Sequence, residues 1–165
     1  MMTEQTEAAT QSEILAALDL STLLLPVTGQ LLVVPSAVVA EIIKRRELSR
    51  PESGPEWLLG TLQWHGVAVP VVSFEAMNDE ATPDPGSCSR IVILNTITDG
   101  VSIRHYAMLT QGVPHLLRLT PESIEALDDE PVGPAESLKA RIFGQFAAIP
   151  DFDYIEGLIG GAEAG

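Results

Sequence analysis

The strongest constraint on the fold is a repeated pattern of short apolar runs that come in pairs, each pair joined at a glycine. Leu23–Val27 and Gln30–Val34 meet at Thr28-Gly29, and Leu58–Trp64 and Val67–Phe74 meet at His65-Gly66. Ile91–Thr98 and Val101–Leu109 meet at Asp99-Gly100, and Lys139–Phe143 and Gln145–Ile149 meet near Gly144. Glycine reaches positive φ without a Cβ penalty, as tight hairpins require, and Asp-Gly is the strongest of the four turn signals. Val and Ile are frequent in the runs, as packed, pleated strands favour. Four hairpins predict an all-β protein, and so many antiparallel edges predict closure into barrels.

Three segments read as helices instead. Ser36–Arg45 follows Pro35, has Ser36 as a capping residue, and can pair Glu41 with Arg45 one turn on. Val38, Val39, Ile42 and Ile43 would form its apolar face. Gln11–Leu20 can line Ile14, Leu15 and Leu18 along one side, and Asp151–Ile159 can turn Phe152, Ile155, Leu158 and Ile159 inward. Asn78–Ser89 and Leu127–Ser137 are polar and rich in Pro and Gly, so both read as loops. The expected organisation is a mobile acidic tail over 1–18, one folded domain over 19–159, and a frayed end over 160–165.

Composition narrows the function. Asp and Glu number 23 against 9 Lys and Arg, a formal charge of -14, which excludes a basic nucleic-acid or anionic-membrane surface as the default. Hydrophobic residues make up 45% of the chain, enough for a substantial core, yet no run reaches the length of a membrane span. The single cysteine, Cys88, cannot form an internal disulfide, and His65, His105 and His115 have no metal-ligand spacing with it. A cytoplasmic protein without cofactor or metal is the expectation.

Catalytic motifs are missing: there is no phosphate-binding loop with its lysine, no Gly-x-Ser-x-Gly and no His-Glu-x-x-His. Asp151 and Asp153 form a carboxylate pair, best read as a local cap or surface turn. The chain therefore reads as a binding protein. Trp57 and Trp64 are large anchors in a chain with few aromatics, suited either to a core or to an interface. His65 stands at a hairpin tip beside Val67, and Lys44, Arg45, Arg46 and Arg50 form the one basic cluster. The candidate protein interface is accordingly Trp57, Trp64, His65, Val67, Lys44, Arg45 and Arg46. Gly29, Gly60, Gly66 and Pro70 are expected to be structural.

The stretch Gly29–Pro35, then Val38–Ile43, and above all Trp57–Phe74 resemble the CheW-like family of chemotaxis adaptors. Arg90–Leu94 and Ile155–Ile159 match only loosely, so the likeness covers roughly 20–159, with its specific part at 29–74. The resemblance implies two five-stranded SH3-like barrels around a shared core. It also implies a non-catalytic adaptor between a chemoreceptor cytoplasmic tip and a CheA-type histidine kinase, recruited to membrane-associated arrays without inserting in the membrane. Short acidic members serve type IV pilus chemosensory systems and twitching motility, and this chain resembles that ChpC-like branch. One departure stands out: the family's arginine before the central turn glycine is His65 here. Neutral imidazole lacks the arginine's permanent charge and five-donor fork. An unrelated β-barrel binding module is the competing expectation.

Overall fold

The computed structural model describes residues 21–84 and 86–164, so the expected helix at Gln11–Leu20 and the acidic tail lie outside the described residues. The chain begins with β1 (Thr22–Val27) and β2 (Gln30–Pro35), makes a 3-10 turn at Ser36–Val38, and continues through β3 (Val39–Lys44), β4 (Leu58–Trp64) and β5 (Val67–Val72). A single helical turn, α1 (Phe74–Met77), precedes β6 (Arg90–Asn95), β7 (His105–Leu109) and the three-residue β8 (His115–Leu117). After a second 3-10 turn come β9 (Ile124–Ala126), β10 (Glu136–Ile142), β11 (Gln145–Pro150) and α2 (Phe152–Ala164).

Among the described residues, eleven strands form two sheets, ordered β8-β1-β2-β11-β10-β9 and β3-β6-β7-β5-β4. The first has six strands rather than five because β8 adds along Thr22–Leu24 of β1. Chain order and sheet membership interleave: the first sheet opens the chain, the second follows, and the last four strands return to the first. Each sheet contains one parallel pair, β2 with β11 and β5 with β7, and all its other pairs are antiparallel.

The apolar runs are continuous because their strands are buried on both faces. On β1, Leu23, Leu25 and Val27 enter a core shared by both sheets, while Leu24 enters a separate core of the first sheet. On β6, Val92 and Leu94 enter the shared core, while Ile91 and Ile93 enter a core of the second sheet. Side chains alternate across a strand, so one run supplies two cores at once. Phe74 and Met77 of α1 and Ile155 and Ile159 of α2 complete the shared core.

The segment expected to be a helix at Ser36–Arg45 is mostly strand. Its apolar residues are β-branched, which favours a pleated strand over a helix, and the exposed edge of β6 accepts them. Ile42 lies opposite Val92 and Ile43 opposite Ile91, and Ser36 makes no side-chain cap hydrogen bond. The Asp99-Gly100 hairpin also differs. The strands stop at the Asn95–His105 pair, leaving a longer connection, because the buried carboxylate of Glu156 takes the Ile97 and Thr98 N–H groups at 3.0 and 2.7 Å. Helix α2 begins where expected: Asp151 Oδ1 accepts from the Tyr154 N–H at 3.1 Å, as an N-cap does. It runs past Ile159 to Ala164, and Gly160 lies so close to Val101 that a Cβ there would stand 2.9 Å from the Val101 side chain.

Gly60 marks a break in the β4–β5 register. Its φ is 152°, and an added Cβ would meet the Ser49 carbonyl oxygen at 2.8 Å, so backbone passes where a side chain cannot. Gly29 and Gly66 take φ of 78° at two-residue turns, and Pro70 is buried opposite Thr61.

Glu156 also accepts from the Tyr106 hydroxyl at 2.7 Å. Burial, and then the carboxylate beside it, push that hydroxyl far above the usual tyrosine range. Glu156→Ala strands three donors and is expected to cost about 3 kcal/mol or more in urea unfolding, against about 1 kcal/mol for Tyr106→Phe. Equal losses in the two variants would mean that the backbone donors find other partners.

A second carboxylate, Glu136, accepts from Gln30 Nε2 at 2.6 Å, Lys139 Nζ at 2.7 Å and the Gly133 N–H at 2.7 Å. Burial pushes this carboxyl up, but the three hydrogen bonds and the Lys139 charge outweigh it and hold it below its ordinary 4.5. The resulting stabilisation is complete above that ordinary value and is lost as pH falls through the lower folded one. Denaturant titrations of Glu136→Gln between neutral pH and pH 3 are expected to show less acid sensitivity than the parent. An identical acid dependence would place the sensitivity elsewhere.

Candidate functional site

The β4–β5 hairpin carries the first group of candidate residues. Its turn is built by His65 and Gly66, with φ of 50° and 78°, the paired positive values of a type I′ turn that suits the twist of a two-residue hairpin. A tight turn throws its flanking side chains outward: His65 is exposed, and Val67, opposite Trp64, is 54% exposed.

Beneath this tip the second sheet closes on itself. Strands β3 and β4 stand at its two ends, and three contacts draw them together. Ser49 and Thr61 exchange two backbone hydrogen bonds of 2.9 Å, Arg46 Nη1 donates to the Gln63 carbonyl at 3.2 Å, and Trp64 Nε1 donates to Glu41 Oε1 at 2.9 Å. Trp64 is half-buried, packed on the second sheet's own core below and flanked by two imidazoles above. The His65 ring meets it edge-on at 4.5 Å and 90°, and the His105 ring stands 4.9 Å away. His65 Nε2 lies 3.6 Å from the same Glu41 oxygen. The Trp64 hydrogen bond, with smaller help from His65 and Arg46, holds the Glu41 carboxyl below its ordinary range.

The basic residues lie farther along this seam. Lys44 ends β3 opposite Arg90, while Arg45, Arg46 and Arg50 line an open cleft of about 1050 Å3 over Leu48, Leu59, Ile91 and Leu109. Glu47, Glu52, Glu56 and Asp84 line the same cleft, so the strip that looks basic in sequence is of mixed sign in space. Trp57 does not join the tip. It sits before β4, half-buried against the shared core, with its carbonyl accepting from the Ser73 N–H at 2.8 Å. The structure thus brings together Trp64, His65, Val67 and, through Gln63, Arg46, and leaves Trp57 apart.

Sequence reasoning missed Glu41 and His105 as members of this cluster. It also missed a smaller, mostly apolar cleft of about 330 Å3 on the first sheet, lined by Leu24, Pro26, Leu31, His115, Leu117, Ile142, Phe143 and Gln145. The available signal there was Phe143, a bulky residue directly before a turn glycine. Among the described residues no group of three His, Cys, Asp or Glu is placed to hold a metal ion, and Cys88 is exposed. No helix among them is long and apolar enough to cross a membrane.

The sequence model of the CheW-like domain matches residues 21–156. The chain belongs to the CheW-like domain family. Among solved structures it is similar to the scaffolding protein TtCheW from Thermoanaerobacter tengcongensis, with a TM-score of 0.65 and 16% identity over 79% of this chain and 88% of that one. Identity at that level carries the fold, and the two sheets are the two SH3-like subdomains of the CheW fold. No curated protein matches the chain. The exposed tip of the second barrel presents the His65 imidazole, held against Trp64 and Glu41.

The seam makes a measurable prediction. Trp64→Phe keeps a ring over the barrel core but removes the indole donor, so the Glu41 carboxyl is expected to titrate closer to its ordinary 4.5. A side-chain carboxyl NMR titration reads this directly. An unchanged titration would assign the effect to His65 and Arg46.

Proposed function

We propose that the chain is a non-catalytic scaffold that couples a chemoreceptor cytoplasmic tip to a CheA-type histidine kinase. Membership of the CheW-like domain family over residues 21–156 is the observation that carries this reading. The rigid pair of barrels supports it, because one shared core fixes the separation and angle of surfaces on opposite barrels. Assembly then works by mass action: two partners that each bind the scaffold raise one another's local concentration without any turnover. The protein acts in the cytoplasm and is recruited to receptor arrays by these protein contacts, with no nucleic acid and no membrane insertion of its own. Its output is chemosensory, and the short acidic character fits a type IV pilus system.

The tip of the second barrel is the contact surface we assign first. His65 and Val67 are exposed, and the Trp64–Glu41 seam holds them in place before any partner arrives, which lowers the ordering cost of binding. Co-purification and calorimetry with a CheA-type kinase and a receptor cytoplasmic fragment test the reading. His65→Ala combined with Val67→Asp is expected to weaken one of the two complexes about tenfold, or about 1.4 kcal/mol, with the fold unchanged. Trp57→Ala is a poor probe because it opens the shared core. No measurable complex with either partner, alone or together, would remove the scaffold assignment for this pair.

A further inference from the structure

We infer that the tip of the second barrel is a proton-responsive device, in which His65 and His105 change the charge and hydrogen bonding around Trp64 as pH moves through the histidine range. Two imidazoles are placed on one indole, the His65 ring at 4.5 Å and 90° and the His105 ring at 4.9 Å and 61°. The chain has three histidines, and this cluster holds two of them. Far apart in sequence, they meet because β5 pairs with β4 on one side and with β7 on the other. Histidine is the side chain whose ordinary charge change falls between about pH 5 and 8.

Each imidazole responds through a contact already in place. An imidazolium within about 6 Å of an indole gains a cation–π attraction that a neutral ring lacks, and both rings lie inside that limit. His65 has a second contact. Its Nε2 stands 3.6 Å from Glu41 Oε1, beyond hydrogen-bond reach, while Trp64 Nε1 donates to that oxygen at 2.9 Å. A neutral imidazole has one N–H, whereas the imidazolium donates from both nitrogens. Proton uptake at His65 therefore offers the Glu41 oxygen a second, charged donor, which competes with the indole N–H.

The other groups around the cluster set the sign. Glu41 of β3 attracts an imidazolium, and its carboxyl, held below the ordinary range, stays ionised throughout the histidine range. Arg46, which follows β3 and donates to the Gln63 carbonyl, repels an imidazolium, as does Arg104 directly before His105. The two imidazolium charges also repel each other. Asn95 of β6, opposite His105, and Val67 of β5, opposite Trp64, carry no charge. Above the histidine range the exposed tip thus presents a carboxylate beside neutral rings, and below it a carboxylate paired with a cation. The effect on a partner rests on the tip being the contact surface assigned above; the device itself is a property of the free chain.

Indole N–H NMR signals of the free chain test it. Only Trp57 and Trp64 give such signals, and Trp64→Phe assigns them. The Trp64 signal is expected to shift between about pH 8 and pH 5.5, while that of Trp57, packed on the shared core, stays in place. His65→Asn keeps the turn, since Asn-Gly suits its paired positive φ values, and His105→Phe keeps a ring against the indole. The double variant is expected to lose most of the shift. A Trp64 signal that stays put in the parent, or that moves equally in the double variant, would overturn the inference. Calorimetry with a CheA-type kinase and a receptor fragment at the same two pH values separates it from the contact assignment. A moving Trp64 signal with no complex at either pH sinks the contact assignment alone, and a complex formed with a still signal sinks the proton response alone.

Discussion

Everything in this fold depends on strands that are buried on both faces. A half-exposed strand can tolerate a slip of register by moving a polar face inward and recovering later. Here a one-residue slip of β1 would send Leu24 into the shared core and Leu23 and Leu25 into the first barrel's own core. Both cores are full, so register is fixed twice over. The same arrangement makes the barrels interdependent. The β1–β2 hairpin gains its second neighbour only when β11 arrives in parallel beside Leu31 and Leu32, more than a hundred residues later in the chain. The second barrel is one contiguous stretch, β3 to β7, inserted between the two parts of the first, and the shared core ties the two together.

Placing so much apolar surface inside leaves the problem of stray backbone donors at the joints, and acidic residues solve it. Glu75 of α1 is 1% exposed and accepts from the Thr28 N–H at 3.0 Å and its hydroxyl at 3.1 Å, tying the first barrel's opening turn to a helix that follows the second barrel's central hairpin. Glu156 ties α2 to the β6–β7 connection, and Glu136 gathers Gln30, Lys139 and the Gly133 N–H in the first barrel. Only Glu136 has a cationic partner; the others are satisfied by N–H and hydroxyl donors. A carboxylate accepting several such bonds is held firmly without a counter-ion. With 23 acids and 9 Lys and Arg, such bonds are the economical arrangement, and part of the charge of -14 is internal framework rather than surface.

These joints explain which features could be read from sequence. The hairpins at Thr28-Gly29, His65-Gly66 and Phe143-Gly144 were legible because both halves of the signal, apolar run and glycine, are local. Asp99-Gly100 looked the most secure and proved the loosest, because Glu156, more than fifty residues away, takes the N–H groups that would have extended the ladder. At Ser36–Arg45 the four apolar positions fit a helical face, but all four are β-branched, and pairing with β6 decided the outcome. The three-residue β8 and β9 are too short to leave a period. Among site residues, Trp57 and Trp64 are indistinguishable in sequence, and only packing sends one toward the core and the other to the seam. Glu41 could not be recognised because its partner, Trp64, is 23 positions away.

The same seam gives meaning to the histidine at the tip. An arginine at position 65 would carry a permanent charge beside Glu41 and tend to cancel it. An imidazole lacks the arginine's donor fork, and the Glu41 carboxyl is held down chiefly by the indole N–H, with smaller help from His65 and Arg46. A histidine here offers fewer donors than an arginine would and stands 3.6 Å from the exposed Glu41 carboxylate. Trp64 is pinned between the second barrel's core and two imidazoles, so the tip is presented in a fixed orientation. A preorganised surface of this kind loses less freedom on contact than a mobile loop would.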